Sequence, residues 1–350
     1  MLNIDKITSI INEEEQFIIS RESPCLLSGK SALALYYLQQ YNLKKDFKYY
    51  IKYRSTIIDC VNKINSLFNE VSFFTGPLGI LWVLILGSKN TKYMIYKASE
   101  IDSIINKYIM YHLKNISKNP PLLDYIYGYS SWFIIYPYLN PLNKKNLIKI
   151  FISSLNRFDG TRIYSRKVLD NKEVFPYKED VLGFAHGFTS VLFVTDEYKL
   201  LHQNEINLNK AKVKLEQSIN NLNKLARYFN SNDYIRQEWC HGNIGLLTIN
   251  KELRANVLEN YFSTSNQNCN LGMCHGEAHK ILLHKIYKLI YKENENYQLN
   301  YSKKDFKTSN TNFNFFESAM IYQIATNYDL KRDSNFLWWR MFYPFNMESS

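Results

Sequence analysis

At 350 residues, with 46% hydrophobic and 15% aromatic side chains, 28 of them Tyr and 21 Phe, the chain has ample material for a large core, which excludes a disordered protein. Its formal net charge of +11 is scattered as lysines among Asn, Ile and Tyr with no block of five or six like charges. That pattern reads as a Lys-rich surface; nucleic acid is not an expected partner, while an acidic peptide stays compatible.

The N-terminal stretch MLNIDKITSIINEEEQF lacks a basic start, a continuous apolar run and a small-residue cleavage site, so it does not resemble an export signal. The longest uninterrupted apolar run, ILWVLIL at 80–86, falls far short of the roughly 20 residues that cross a bilayer. The expectation is a soluble, cytoplasmic protein with no transmembrane segment. An odd set of cysteines, Cys25, Cys60, Cys240, Cys269 and Cys274, argues for reduced thiols over a disulfide framework. Cys25 and Cys60 read as core residues.

Internal repetition organises the rest. Glycine-bearing segments follow one another as LLSGKSALAL (26–35), FFTGPLGILW (73–82), YIYGYSSWFI (125–134), FAHGFTSVLF (184–193), EWCHGNIGLL (238–247) and GMCHGEAHKI (272–281). A seventh, glycine-free copy is NFFESAMIYQ at 314–323. Apolar residues follow each motif, and in PLGILWVLIL they run all the way round a helix, as in a buried element, with Pro77 suited to a first helical position. The segments between motifs read as amphipathic helices. Ser99 with Asp102 resembles a helix start, continued by Ile101, Ile104, Ile105, Tyr108 and Ile109. Over 205–229, Leu208, Ala211, Leu215, Ile219, Leu222, Ala226 and Phe229 form one apolar stripe. About seven alternations of half-buried outer and fully buried inner helices predict an all-α protein, an α/α toroid formed as a single domain over 1–350. Its glycine motifs would gather at one end.

Two of those motifs carry metal-binding residue types in the same frame: Cys240 with His241, and Cys274 with His275. The trio GFAHGFTS, EWCHGNIG and MCHGEAH resembles the signature of the lanthionine synthetase C-like family, the LanC-type cyclases, over essentially the whole chain. The resemblance implies a toroid of seven inner and seven outer helices with one zinc site. Carried over position by position, it implies that Cys240, Cys274 and His275 bind Zn2+. The family's histidine of the AHG motif falls on His186, its arginine ahead of the first zinc cysteine on Arg236, and its aspartate in the third repeat on Asp124.

Two thiolates and an imidazole suit zinc, and three protein ligands leave a fourth position open, as in catalytic sites. The resemblance then implies an enzyme that activates a cysteine thiol of a dehydrated precursor peptide. The thiol adds to a dehydroalanine or dehydrobutyrine, giving lanthionine or methyllanthionine. In this chemistry His186 is the candidate proton donor to the α-carbon, Asp124 its orienting partner, and Arg236 a cation for the developing enolate. His241, where several bacterial relatives have tyrosine, is a further candidate for acid chemistry. No attached dehydratase or kinase domain is expected. The implied partners are a leader-bearing precursor peptide, a separate dehydratase and a transporter, with the protein cytoplasmic or attached to a membrane-bound biosynthetic complex.

Other readings stay open at this level. Cys269 or His279 could complete a closed, structural zinc site; His186 could be a satisfied buried histidine; Arg236 a surface ion-pair partner; and Asp124 a helix cap. The second glycine of the repeat is replaced by Ala32, Ser131, Ser190 and His279, and Glu317 stands in place of the last repeat's glycine. The tail FLWWRMFYPF at 336–345 is expected to pack on the toroid. A prenyltransferase-like zinc enzyme and a non-catalytic zinc scaffold are the rival functions.

Overall fold

The computed structural model describes residues 4–118, 121–157, 184–198, 200, 277–291 and 318–327. Among these the regular elements are helices and there is no strand. The α-helices are α1 (Ile4–Ser20), α2 (Lys30–Lys44), α3 (Phe47–Asn62), α4 (Pro77–Asn90), α5 (Ala98–Asn115), α6 (Pro141–Arg157), α7 (Phe188–Glu197), α8 (Glu277–Tyr291) and α9 (Ala319–Asn327). The chain divides into two compact units. One comprises Met1–Leu67, Gly79–Tyr96 and Asn260–Ser350; the other comprises Phe68–Leu78 and Lys97–Glu259.

In the first unit, α2 and α3 form a helical hairpin. Lys45 ends α2 in the left-handed conformation (φ 54°), its N–H donating to the Tyr41 carbonyl at 2.8 Å. Asp46 then caps α3 by accepting the Lys48 N–H at 3.0 Å. The two helices differ in how much of their surface is covered. Every residue of α2 from Ser31 to Gln40 is buried, whereas α3 buries one stripe of Tyr50, Tyr53, Ile57, Cys60 and Val61. Cys25 and Cys60 are buried free thiols, as expected, and burial pushes the Cys60 thiol up to about 12. Helix α4 starts at Pro77, and Gly87 leaves room for the Tyr53 ring, whose hydroxyl donates to the Val83 carbonyl at 3.3 Å.

Helix α9 closes against the chain's first elements. The Gln323 side-chain oxygen accepts from the Tyr36 hydroxyl at 2.7 Å and from Gln40 Nε2 at 3.1 Å. Glu14 of α1 accepts the Ala319 and Met320 N–H groups at 2.8 and 3.2 Å, satisfying two donors that a helix start leaves without an internal partner. Burial nevertheless raises the Glu14 carboxyl to about 7, against the lowering effect of those two N–H bonds. At the other end of α9, Lys285 donates to the Ala325 and Thr326 carbonyls at 2.7 and 2.8 Å, a cation placed where the helix dipole favours one.

The second unit is built round aromatic residues. Helix α5 buries Ile101, Ile105, Tyr108, Ile109 and His112. The His112 ring meets Tyr108, Tyr111 and Trp132 edge-on, at centroid distances of 4.6, 5.2 and 5.3 Å, and its Nε2 lies 3.0 Å from the Phe68 carbonyl. Trp132 donates its indole N–H to the Val71 carbonyl, and Tyr108 its hydroxyl to that of Glu70.

Two local expectations are adjusted. Helix α5 starts at Ala98, ahead of Ser99, because the Glu100 carboxylate reaches back to the Lys97 N–H at 2.7 Å. The inner element after Gly128 is a 3-10 helix, Tyr129–Ile134. Pro137 accounts for its shortness, since an α-helix through it would lose a hydrogen bond and crowd the carbonyl of the residue four before. In the seventh copy Ser318 directly precedes α9, and its Oγ caps the helix by accepting the Ile321 N–H at 3.2 Å. The stripe at 205–229 and the tail at 336–345 lie outside the described residues.

Candidate active site

Each described motif turns the chain in the same way. Three turn residues lead to a glycine at 29, 76, 128 or 187, and a helix begins at the next residue. The glycine is needed for close approach. A Cβ on Gly29 would overlap the Ser23 and Cys25 carbonyls, and one on Gly128 would overlap those of Leu122 and Asp124, the residues six and four positions earlier in each case. The N–H after the glycine closes the loop, from Lys30 to Ser23 at 2.9 Å and from Tyr129 to Leu122 at 2.8 Å. In the second repeat that next residue is Pro77, which has no N–H to offer; there the Gly76 N–H donates to Ser72 at 2.8 Å instead.

In the second and third repeats the residue four before the glycine holds the turn with its side chain. Ser72 Oγ accepts the Phe74 and Thr75 N–H groups at 2.9 and 3.1 Å. Asp124 occupies the same position in the third repeat, and its Oδ1 accepts the Tyr127 N–H at 2.6 Å. A carboxylate has a second oxygen, and Oδ2 lies 2.7 Å from His186 Nδ1 in the fourth repeat. The two turns are also joined through their backbones, Tyr125 N–H to Ala185 carbonyl at 2.9 Å. Asp124 therefore builds its own turn with one oxygen and holds the next repeat's histidine with the other.

This arrangement fixes the chemistry of the ring. A carboxylate accepts and does not donate, so the contact puts the hydrogen on Nδ1 and leaves Nε2 as the nitrogen that takes up and releases a proton. The Asp124 side chain is 3% exposed and that of His186 is 18% exposed, so the anion is sheltered while the imidazole reaches the surface of its turn. Sheltering strengthens the pair because water screens it less. The Tyr127 ring lies nearly parallel to the imidazole, at 17° and 5.9 Å between centroids. Sequence reasoning passed over Tyr127, although it stands immediately before Gly128 as His186 stands immediately before Gly187.

Of the expected site residues, the structure brings together Asp124 and His186. Arg236, Cys240, His241, Cys274 and His275 lie outside the described residues, and so do Cys269 and Glu317. Among the described residues, which include none of the expected zinc ligands, no group of three or more His, Cys, Asp or Glu side chains gathers to hold a metal. His279 is fully buried on α8. No described helix is long and apolar enough to cross a membrane.

Comparison with known proteins gives these features a family. A solved chain described as nisin cyclase superposes with a TM-score of 0.66 at 18% identity, covering 96% of this chain and 96% of that one, a likeness of fold. A search of curated proteins finds no match. The family model for lanthionine synthetase C-like proteins matches residues 21–323. The match spans most of the chain, and the protein belongs to the lanthionine synthetase C-like family.

Proposed function

We propose that the protein is a zinc-dependent peptide cyclase that forms lanthionine or methyllanthionine, built as one α/α toroid over 1–350 with seven inner and seven outer helices. Closure of such a ring requires its first and last repeats to meet, and the bonds from Tyr36 and Gln40 of α2 to Gln323 of α9 support it. The observation that carries the functional reading is the Asp124–His186 pair, 2.7 Å apart across two neighbouring repeat turns, in a chain of this family.

Cys240, Cys274 and His275 are the residues that would hold the metal, and their two sulfurs and one nitrogen fit zinc with a coordination position left over. When bound, zinc supplies a lowered pKa for a substrate thiol. The reaction is a net addition of S–H across a carbon–carbon double bond. The thiol loses its proton, sulfur bonds to the β-carbon of dehydroalanine or dehydrobutyrine, and the π electrons move to an enolate. A proton then reaches the α-carbon, with no oxidant and no change in mass.

The chain's own part centres on that last transfer. His186 donates from Nε2, and Asp124 holds the Nδ1 hydrogen and stabilises the imidazolium before donation. Arg236 offsets negative charge on the enolate, and His241 is the second candidate donor. The substrate is a cysteine-containing, leader-bearing peptide dehydrated by a separate protein, with export left to a transporter. The protein works in the cytoplasm, alone or docked on a membrane-bound complex.

The test separates metal from proton. Cys274→Ala should lose stoichiometric zinc. His186→Asn should keep zinc and cyclise roughly 10²–10⁴-fold more slowly, as loss of a general acid implies. A zinc-replete His186→Asn protein that cyclises at the unmodified rate would transfer the role to another group, His241 first.

A further inference from the structure

We propose that an exposed apolar patch on α3 and the segment after α4, rimmed by cations, docks the protein reversibly on an anionic lipid surface. Such contact goes beyond the cyclase reading and needs neither zinc nor ring formation. Phe47 and Ile51 lie one turn apart on α3 and are 49% and 55% exposed. Met94, in the segment that follows α4, is 69% exposed, and its neighbour Tyr93 is exposed too. All of them belong to the first unit. Single exposed apolar residues need no explanation, but a contiguous group of large ones marks a contact surface.

Local structure makes the group contiguous. Helix α4 ends at Asn90, and the Thr91 N–H continues its ladder to the Gly87 carbonyl at 2.9 Å. Thr91 Oγ1 then accepts the Tyr93 N–H at 3.3 Å and donates to the Tyr93 carbonyl at 3.0 Å. The Tyr93 ring meets α3, with centroids 4.7 Å from Tyr50 and 5.7 Å from Phe47. Phe47 in turn stacks on Tyr50 at 5.3 Å. Tyr50 is buried, so the two exposed rings rest on a fixed one.

Charge supplies the complement to an anionic surface. Over 44–54, KKDFKYYIKYR, Asp46 is the one acid, and it is taken up by capping α3 and by Lys48 at 3.1 Å. Lys52 pairs with Glu15 of α1 at 2.8 Å. Lys44, Lys45, Arg54 and Lys92 are exposed and form no ion pair among the described residues. Burial raises the Tyr50 phenol above its usual range and the Arg54 charge works against that rise, which puts Arg54 near the same aromatic base.

The balance of lysine over arginine favours lipid, because protein–protein interfaces are enriched in arginine and depleted in lysine. At a headgroup layer a lysine lays its apolar stem along the patch while its ammonium stays in water beside phosphate. Lys92 already lies this way, its Nζ 5.8 Å from the Tyr93 ring centroid. No described helix is long and apolar enough to cross a bilayer, so the contact is peripheral.

The experiment floats the full chain with vesicles of phosphatidylcholine alone and of phosphatidylcholine mixed with phosphatidylglycerol. The protein should rise with the mixed vesicles and stay behind with the neutral ones, and added salt should release it. Each cation near an anionic surface contributes roughly fivefold in partition, so Lys45→Gln with Arg54→Gln should weaken binding roughly 25-fold. Ile51→Ser with Met94→Ser should weaken it roughly tenfold, with an unchanged urea midpoint because both side chains are exposed. A control removes the same charge elsewhere. Lys145→Gln with Lys149→Gln, exposed on α6 in the second unit, should change binding less than about twofold.

Equal flotation with neutral vesicles, or none with either, overturns the proposal and leaves the patch to a protein partner. A control pair that weakens binding as much as Lys45→Gln with Arg54→Gln assigns the binding to net charge alone and overturns it too. So does a dimer that Ile51→Ser with Met94→Ser converts to monomer, because a second copy then covers the patch.

Discussion

Replacing Asp124 with asparagine tests the Asp124–His186 pair without emptying its position. An amide has one oxygen where the carboxylate has two, and both carboxylate oxygens are in use, Oδ1 on the Tyr127 N–H at 2.6 Å and Oδ2 on His186 Nδ1 at 2.7 Å. If the amide oxygen stays on the turn, its NH2 faces Nδ1 and drives the ring to the tautomer with hydrogen on Nε2, where no charge supports an imidazolium. If the amide is flipped, NH2 faces the Tyr127 N–H and the turn loses its acceptor. One charge-assisted bond disappears either way, a loss of roughly 1.5–3 kcal/mol in stability. Asp124→Ala removes both and should cost about 1 kcal/mol more, for the half-buried Tyr127 N–H that loses this acceptor. Catalysis should not follow that order. Both variants should slow ring closure by roughly 10²–10⁴-fold, because each deprives the proton donor of its orienting anion. Urea unfolding gives the stabilities, and alkylation of remaining thiol in zinc-replete protein gives the rates. An Asp124→Asn protein that cyclises at the unmodified rate would refute the assigned role of the carboxylate.

Other consequences follow from the packing. Glu14, raised by burial from 4.5 to about 7, binds its proton more tightly when folded. The stability this gives is fully present below pH 4.5 and is lost as pH rises through about 7, amounting to about 3 kcal/mol. Glu14→Gln should flatten that part of the stability profile between pH 5 and 8, and an identical slope in both proteins would contradict the burial argument. Gly87→Ala drives a methyl into the fully buried Tyr53 ring and should cost about 1–3 kcal/mol in urea unfolding, whereas an unchanged midpoint would show that the ring has room to move. Lys45→Gly relieves the left-handed φ of 54° and should raise stability by about 0.5–1 kcal/mol, an increase that calorimetry or urea titration would detect.

The parts of this fold that were legible in the sequence are those fixed locally. The all-round burial of α2 and the one-sided burial of α3 follow from where apolar residues fall along each helix, and a glycine recurs because its turn brings carbonyls against the Cα. Pro137 limits the helix after Gly128 by the same kind of local effect. The cap on α9 was out of reach, because Glu14 and Ala319 are 305 residues apart and nothing near either one names the other. The candidate site divides in the same way. Asp124 and His186 were found through the family resemblance, and their repeat positions explain why they meet. The stack of Tyr127 on His186 needs the register between two turns, which comes from the Tyr125–Ala185 backbone bond and leaves no trace in residue type.

The central claim is ring formation, and the most direct measurement is the thiol content of a dehydrated, cysteine-containing peptide before and after incubation with the zinc-replete protein. The account predicts that one alkylatable thiol disappears for each ring formed while the mass of the unalkylated peptide stays the same. Fragmentation should then be suppressed between the joined residues. A peptide that retains all its thiols beside intact, zinc-replete protein, under conditions where an established cyclase closes rings in the same peptide, would contradict it.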